Sequence, residues 1–142
     1  MIIREVAFNS TEYEQTLLLR DAVLRRPLGL SLTAEDRAGE EQQWHLIAIR
    51  KQVLVGCLVL VPLPGAAVQM RQVAVAPESQ RAGIGTALVA YAEELCRSRK
   101  RTSMLLHARI AAVPFYERLG YALEGDEFLE VTIPHRIMRK AL

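Results

Sequence analysis

Two glycines stand where a strand pattern gives way to a helix pattern, in the segment Gln80-Arg81-Ala82-Gly83-Ile84-Gly85-Thr86. The alternating, β-branched Val73-Ala74-Val75 before it predicts the end of a strand, which Pro77 stops because proline offers no N–H. An apolar helical pattern follows from Ala87 to Leu95. The first N–H groups of a helix lack internal partners and lie at its positive end, and glycine lets a phosphate reach the main chain. The segment therefore predicts an anion site, and a tight turn without a ligand is the alternative.

The spacing of these glycines fits neither of the common nucleotide loops. No Lys-Ser/Thr follows Gly85, as a P-loop requires, and the third glycine of the dinucleotide fingerprint is missing. Instead, Gln80-x-x-Gly83-x-Gly85 after Val73-x-Val75 resembles the coenzyme A pyrophosphate loop of the GNAT superfamily of N-acetyltransferases. The resemblance implies that pantetheine and the thioester carbonyl are bound by main-chain groups of Val73, Ala74 and Val75. It also implies that the pyrophosphate is held by Gln80, Arg81, Ala82, Gly83, Ile84, Gly85 and Thr86.

A second segment, Ala112-x-x-Phe115-Tyr116-x-x-x-Gly120-Tyr121, resembles the other signature of the same superfamily and follows at the expected distance. The resemblance implies that Phe115 contacts the cofactor and that Tyr116 is the general acid. A phenol has a reference pKa near 10 and carries a proton that it can give to a departing thiolate. The alternative is that Tyr116 and Phe115 are a packing pair on a short helix.

A narrower resemblance comes from Leu-His-Ala-Arg at 106–109 together with Ile133-Pro134-His135-x-x-Met138. Both are similar to the ElaA-like branch of the superfamily, whose acceptors are largely undefined. Arg109 stands where many members carry an asparagine that contacts the pantetheine arm. Since arginine cannot accept a hydrogen bond, we expect Arg109 to bind the cofactor through a phosphate or to face the acceptor instead.

The general base is left open by the sequence. His107, at the end of a predicted strand beside the cleft, and His135, in the branch-like Ile-Pro-His, are the two candidates that we carry forward. The further alternatives are a water chain, a structural role for each histidine, and the side chains of His45, Glu41 and Glu130.

Composition limits the remaining possibilities. The 142 residues predict a single domain over 1–142, and a net charge of +2 gives no argument for nucleic acid or a membrane as partner. The apolar surroundings of Cys57 and Cys96, and the lack of a histidine cluster near them, predict reduced packing residues and no metal site. Without an apolar leader, we expect a cytoplasmic protein that is a monomer or homodimer.

The chain reads as alternating strands and helices. After a strand at Ile2–Phe8, Ser10 or Thr11 is predicted to cap a helix, with Glu14 placed as in a capping box. Leu17, Leu18, Leu19, Val23 and Leu24 predict a wide apolar stripe on this helix, which Pro27 ends. The acidic stretch Gly29–Gln43 predicts a solvated loop or short helix, with a substrate-facing role as the alternative.

Further strands are predicted at Trp44–Arg50, Val53–Val61, Ala66–Val75, Ser103–Ala108, Tyr121–Glu124 and Glu127–Ile133, with a short helix at Ala111–Leu119. For the basic run Arg97-Ser98-Arg99-Lys100-Arg101, a solvated helix C-terminus is favoured over a nucleic-acid patch. The fold class is therefore α/β (α+β), with a mixed, mostly antiparallel sheet flanked by helices, as the GNAT-like acyl-CoA N-acyltransferase resemblance also implies.

The function that follows is transfer of an acetyl group from acetyl-CoA to a primary amine of a small molecule or peptide, directly within a ternary complex. The alternative is a non-catalytic acyl-CoA sensor or interaction module with the same fold. The presence of Tyr116 and of the complete Gln80-x-x-Gly83-x-Gly85 loop favours the enzyme.

Overall fold

One seven-stranded sheet organises the molecule in a computed structural model that describes all residues from Met1 to Leu142. Its strands are β1 (Ile2–Val6), β2 (Trp44–Arg50), β3 (Val53–Pro62), β4 (Ala67–Val75), β5 (Ser103–Arg109), β6 (Ala122–Glu130) and β7 (Ile133–Ala141). The α-helices are α1 (Thr11–Arg20), α2 (Ile84–Ser98) and α3 (Val113–Arg118). Short 3₁₀ turns lie at Arg26–Leu28, Glu35–Arg37, Glu40–Gln42, Pro77–Ser79 and Ile110–Ala112.

The strand order is β1-β2-β3-β4-β5-β7-β6, and the only parallel pair is β4 with β5. Helix α2 makes the crossover that this parallel pair needs. The pairing is short, running from Ala67 opposite Ser103 to Met70 opposite Leu106, after which the two strands part. A mostly antiparallel mixed sheet flanked by helices confirms the predicted fold class.

The two faces of the sheet are covered by different helices, because successive strand residues point to opposite sides. On one face, Leu46, Leu58 and Leu60 pack with α2 residues such as Leu88 in the main core of 18 buried residues. On the other face, Val6, Ile47, Cys57 and Ala74 form a smaller cluster that packs against Leu19, Val23 and Leu24. The middle strands are thus buried on both sides, which explains their near-continuous apolar sequence.

The predicted apolar stripe is correct in part, because Leu19, Val23 and Leu24 pack against the sheet and Leu18 does not. The buried positions of α1 are Tyr13, Thr16 and Arg20, while the Leu18 side chain is 74% exposed. The helix is capped by Ser10, which accepts the Tyr13 N–H, so the box that we placed at Thr11 and Glu14 does not form. The buried face is polar because it meets polar partners from the next segment.

The acidic stretch Gly29–Gln43 is not only solvated, contrary to the prediction. Glu40 is fully buried, and its carboxylate accepts hydrogen bonds from both terminal guanidinium nitrogens of Arg20 and from the Tyr13 hydroxyl. Asp36, which is half-buried, forms a second ion pair with Arg25. These ion pairs tie the segment to α1 and to the turn that follows it.

The hairpin of β6 and β7 also differs from the prediction, which placed a single strand at Glu127–Ile133. The chain reverses at Val131 and Thr132, whose φ angles are +46° and +70°. Turns of this kind usually contain Gly, Asn or Asp, so β-branched residues gave no turn signal. Strand β7 then continues through Pro134 to Ala141, a segment for which we predicted no element.

The basic run after α2 bonds to the protein itself. Arg97 pairs with Glu94, Arg99 pairs with Glu5 and lies over the Trp44 ring, and Arg101 donates to loop carbonyls. The run therefore contacts the sheet through Arg99, and it is not only a solvated helix end. None of the helices has the length and apolarity needed to cross a bilayer.

Candidate active site

The glycine loop presents a row of free main-chain donors. Gly83 has φ +79° and Arg81 has φ +69°, so the chain turns sharply before α2 begins. No N–H from residue 81 to residue 86 donates a hydrogen bond within the protein, and the first helical donor is Ala87, which bonds to the Gly83 carbonyl. Six successive free N–H groups at the positive end of a 15-residue helix form a strong anion cradle.

A groove of about 800 Å³, which we call the loop groove, runs along these donors. Phe115 forms one wall and lies so close to Gly85 that an added Cβ there would come within 3.3 Å of its ring. Arg81 and Arg118 add positive charge to the rim. Of the residues predicted to bind the cofactor, the groove is lined by Val73, Val75, Gln80, Arg81, Gly83, Ile84, Gly85, Thr86 and Phe115.

Three predicted cofactor residues lie outside this lining: Ala74, Ala82 and Arg109. The Ala74 side chain points to the opposite face of the sheet, where it is buried beside Cys57, so only its main chain is available. Ala82 is exposed in the loop, and its N–H belongs to the free row. Gln80 donates its side-chain amide to the Val75 carbonyl at 3.1 Å, which fixes the loop to the end of β4.

The separation of β4 from β5 opens the end of this groove. Gln72 has φ +56°, at an irregularity in the β3–β4 pairing, and from there to Val75 the edge of β4 that faced β5 has no strand partner. Arg20 supports the irregularity from below, because its Nε donates to the Gln72 amide oxygen at 3.1 Å. Main-chain groups from Val73 to Val75 on this edge thus have no strand partner, and Gln80 bonds only to the Val75 carbonyl among them.

A second space, the histidine cavity, lies on the other side of this opening. It consists of two adjoining cavities of about 140 and 200 Å³ that share His107, Glu130, Arg25, Arg71 and Gln72 as lining residues. Three residues line both the loop groove and the histidine cavity: Val73, Ala112 and Tyr116. These three mark where a ligand in the groove and a ligand in the cavity would meet.

Tyr116 is held at this junction by aromatic packing. Its ring lies edge-on to Phe115 at 5.0 Å and to Tyr121 at 5.8 Å between centroids, and only 7% of the residue is exposed. Burial raises the pKa of Tyr116 to about 12, and no protein hydrogen bond contributes to that shift. The phenol therefore keeps its proton at neutral pH, and its only access is to the two spaces that it lines.

His107 and His135 converge on one carboxylate, that of Glu130. His107 Nδ1 lies 2.9 Å from Glu130 Oε1, and His135 Nε2 lies 3.8 Å from Oε2. The hydrogen bond from His107 lowers the pKa of Glu130 although burial opposes it, so the carboxylate is ionised and the His107 Nδ1 carries the proton. In a neutral ring, Nε2 of His107 is then the free basic nitrogen.

His135 is oriented differently. Its Nδ1 lies 2.9 Å from the Ile133 carbonyl, to which it must donate. Phe128 lies between the two imidazoles, with its ring centroid 5.1 Å from His107 and 6.0 Å from His135. Both histidines that we predicted as base candidates thus line the cavity, and His107 alone is oriented by a direct bond to the carboxylate.

The other titratable candidates are elsewhere. His45 is buried beneath α1, where its Nε2 lies 2.8 Å from the Glu40 carbonyl, and Glu41 is exposed in a 3₁₀ turn. Cys57 and Cys96 are buried, and burial raises the pKa of their thiols to about 12 and about 11. No group of three or more metal-ligand side chains is present.

Arg109, which we expected to bind a phosphate of the cofactor or to face the acceptor, lies in the histidine cavity and does not line the loop groove. Its Nη2 donates to the Leu24 carbonyl at 2.7 Å, and Arg25 Nη1 donates to the same oxygen at 3.2 Å. Leu24 belongs to a π-helical turn, Asp21–Arg25, that follows α1. Burial, with Arg25 beside it, lowers the pKa of Arg109.

Sequence reasoning missed three residues of this cavity: Arg25, Arg71 and Gln72. Arg25 stands at the end of a helical pattern, and no motif in the sequence distinguishes it from a solvated residue. Arg71 and Gln72 sit in the strand just before Val73, and their position on the free side of β4 depends on where β5 leaves it. The one available signal was their polarity within an otherwise apolar strand.

Residues 10–121 match the sequence model of the acetyltransferase (GNAT) family. The uncharacterized protein YyaT of Bacillus subtilis (strain 168) is 28% identical over 103 residues, which are 72% of this chain and 69% of that protein.

Solved structures show the same fold. The Escherichia coli ElaA structure superposes with a TM-score of 0.83 at 19% identity, covering 98% of each chain. An aminoglycoside 6'-N-acetyltransferase solved with coenzyme A superposes with a TM-score of 0.78 at 22% identity, covering 99% of this chain and 97% of that one. At such identities the likeness, including that to ElaA, establishes the fold.

Proposed function

The chain belongs to the acetyltransferase (GNAT) family, and we propose that it moves an acetyl group from acetyl-CoA to a primary amine by direct transfer in a ternary complex. The observation that carries the proposal is the meeting of the loop groove and the histidine cavity at Tyr116. One space offers an anion cradle and the other a basic nitrogen, so two substrates can be held on either side of one proton donor.

The loop groove would bind acetyl-CoA, which supplies an activated acyl thioester. Free N–H groups of residues 81–86 fit the pyrophosphate, and Arg81 and Arg118 fit the further phosphate charge of the nucleotide. The unpaired edge of β4 from Val73 to Val75 would bind the pantetheine amides as an added strand would, and Phe115 would pack against the cofactor.

His107 would remove the proton from the acceptor ammonium. Its Nδ1–H is fixed on the ionised Glu130, which orients the ring and stabilises the imidazolium that forms. His135, whose Nδ1–H is used on the Ile133 carbonyl, keeps its Nε2 free of a hydrogen bond and is the second candidate base. The amine then attacks the thioester carbonyl, and main-chain donors at the parted strands stabilise the oxyanion.

Tyr116 would return a proton to the sulfur. Its pKa of about 12 lies above the reference value of about 8.5 for a thiol. Full proton transfer to a free thiolate is therefore uphill, so the phenol donates toward the sulfur while the C–S bond breaks. The second proton that the attacking nitrogen must lose then replaces the one given to the sulfur, and the phenol is restored. Before the C–S bond breaks, the phenol positions the sulfur through its hydrogen bond.

Direct transfer is supported by what the junction contains. Val73, Ala112 and Tyr116 line it, and both cysteines are buried in the core as neutral thiols, away from either space. The one hydroxyl at the junction belongs to Tyr116, and its pKa of about 12 keeps it protonated, which disfavours a covalent acetyl intermediate there. The amine must attack the thioester itself.

The proposal is tested by calorimetric titration with acetyl-CoA, followed by a free-thiol release screen over small amines, amino acids, polyamines and lysine peptides. We expect binding and amine-dependent thiol release. Binding with no release from any amine would favour the alternative, an acyl-CoA sensor or interaction module. Absence of binding would refute both.

A further inference from the structure

The histidine cavity contains more positive charge than its carboxylates balance. Three arginines line it, namely Arg25, Arg71 and Arg109, against the two carboxylates of Asp36 and Glu130. Its only ion pair between an arginine and a carboxylate is Arg25 with Asp36, and Glu130 is bonded to His107. Neither Arg71 nor Arg109 has a carboxylate within 4 Å of its guanidinium.

The imbalance is sharpest at the Leu24 carbonyl. Arg25 and Arg109 both donate to this single oxygen, which places two guanidinium groups side by side, and the carboxylate of Asp36 is bonded to Arg25 alone. Arg109 is half-buried there and still has donors to spare. Partial burial of a cation without a counter-charge has a desolvation cost, and a ligand anion would offset that cost.

The cavity therefore has two ends of different chemistry. At one end His107 and Glu130 suit an ammonium group that must lose a proton beside Tyr116. At the other end Arg109, beside Arg25 at the Leu24 carbonyl, suits an anion, and Arg71 lines the cavity nearer to Glu130. Resting on the proposed function, we propose that the acceptor is a small amine that also carries an anionic group, such as a carboxylate or a phosphate, which Arg109 binds and the charge of Arg71 attracts.

The same charge arrangement disfavours polycations. A polyamine or another acceptor with several ammonium groups would bring like charge toward three arginines in a partly buried space. An amide or ester analogue of the right acceptor would lose the charge-assisted bonds but keep its amine at His107. Comparing matched acids and amides therefore isolates the contribution of the anion.

The test measures kcat/KM by thiol release for matched pairs: glycine with glycinamide, β-alanine with β-alaninamide, and phosphoethanolamine with ethanolamine, with spermidine as the polycation. We expect one anionic member to exceed its neutral partner about tenfold or more, since bonds to charged groups are the strong ones. The carboxylate and phosphate pairs tell which anion is bound.

Arg109→Gln and Arg71→Gln should each lower kcat/KM for the preferred anionic amine and leave its neutral partner within about twofold. A structural role for either arginine would lower both members equally. Arg50→Gln, which changes an exposed arginine at the end of β2, is the matched control and should leave all pairs as in the wild type.

The outcomes separate this inference from the function on which it rests. Equal use of acids and amides, or preference for spermidine, would overturn the anionic-acceptor inference and leave the acetyltransferase intact. Binding of acetyl-CoA without thiol release from any amine would refute the acetyltransferase and the inference together.

Discussion

Replacement of Glu40 by glutamine should be among the most destabilising isosteric changes in this chain. Glu40 is fully buried, and its carboxylate accepts two hydrogen bonds from Arg20 and one of 2.7 Å from the Tyr13 hydroxyl. Glutamine keeps the shape and an acceptor oxygen for Tyr13, but it leaves the fully buried Arg20 guanidinium without a counter-charge. Breaking one side of a buried pair costs about 3–5 kcal/mol, a large share of the ~5–15 kcal/mol that stabilises a domain.

Urea unfolding followed by circular dichroism gives the measurement. With a urea m-value of about 2 kcal/mol/M, the loss corresponds to a midpoint about 1.5–2.5 M lower. Glu41→Gln is the matched control, because it makes the same chemical change at the adjacent, exposed position, and its midpoint should move little. A double replacement, Arg20→Met with Glu40→Leu, should recover much of the loss, because no unpaired charge is left.

The pH dependence follows from the pKa of Glu40. Burial would raise it, but the hydrogen bonds and charge of Arg20 outweigh burial, so the pKa lies below 4.5 in the folded protein. A lowered folded-state pKa stabilises the protein above the unfolded pKa, and that stabilisation is lost as the pH falls through the folded pKa. The gap between wild type and Glu40→Gln should therefore narrow on acidification below about pH 4.5. Equal midpoints for Glu40→Gln and Glu41→Gln at neutral pH would refute the reasoning.

Three further changes test the site. Tyr116→Phe should lower kcat about 10²-fold or more and leave the calorimetric Kd for acetyl-CoA within about twofold, and an unchanged kcat would make Tyr116 a packing residue. In the wild type, the phenol has a pKa of about 12 and should therefore cause no loss of kcat on the alkaline side up to about pH 10. Gly83→Val should lower the affinity for coenzyme A about tenfold or more by calorimetry. Gly65→Val is the control, because Gly65 has a similar φ of +80° and equally open surroundings, so it carries the same backbone strain and should keep the wild-type affinity. Equal coenzyme A affinities in the two variants would remove the pyrophosphate assignment. His107→Gln should lower kcat about 10²-fold, and Glu130→Gln less, with a shift of the acidic limb of the pH–rate profile; wild-type rates in His107→Gln would favour His135 or water as the base.

The parts of the site that sequence could predict are local. The Gly83 turn, the free donors before α2 and the position of Tyr116 after Phe115 each depend on a few neighbouring residues, and the structure has them as their spacing indicates. The order of strands around α2 follows from the same pattern, because a strand–helix–strand unit gives one parallel pair.

The parts that could not be predicted depend on partners distant in sequence. Arg20 and Tyr13 looked like ordinary helix positions until Glu40, 20 and 27 residues away, placed a carboxylate beneath them. His107 and Glu130 are 23 residues apart and meet only through the β5–β7–β6 register and an unusual turn. Hydrophobic periodicity does not encode such pairs, since it reports which face is buried and not which polar groups meet there.

Rapid quench followed by mass spectrometry of both protein and amine is the most direct test of acetyl transfer from the loop groove to the histidine cavity at Tyr116 without a protein-bound intermediate. The protein is mixed with acetyl-CoA, with and without an accepted amine, and quenched within one turnover. We predict one acetylated amine for each thiol released and no acetylated protein in either reaction. Acetylated protein accumulating without amine, or thiol released without acetylated amine, would contradict the account.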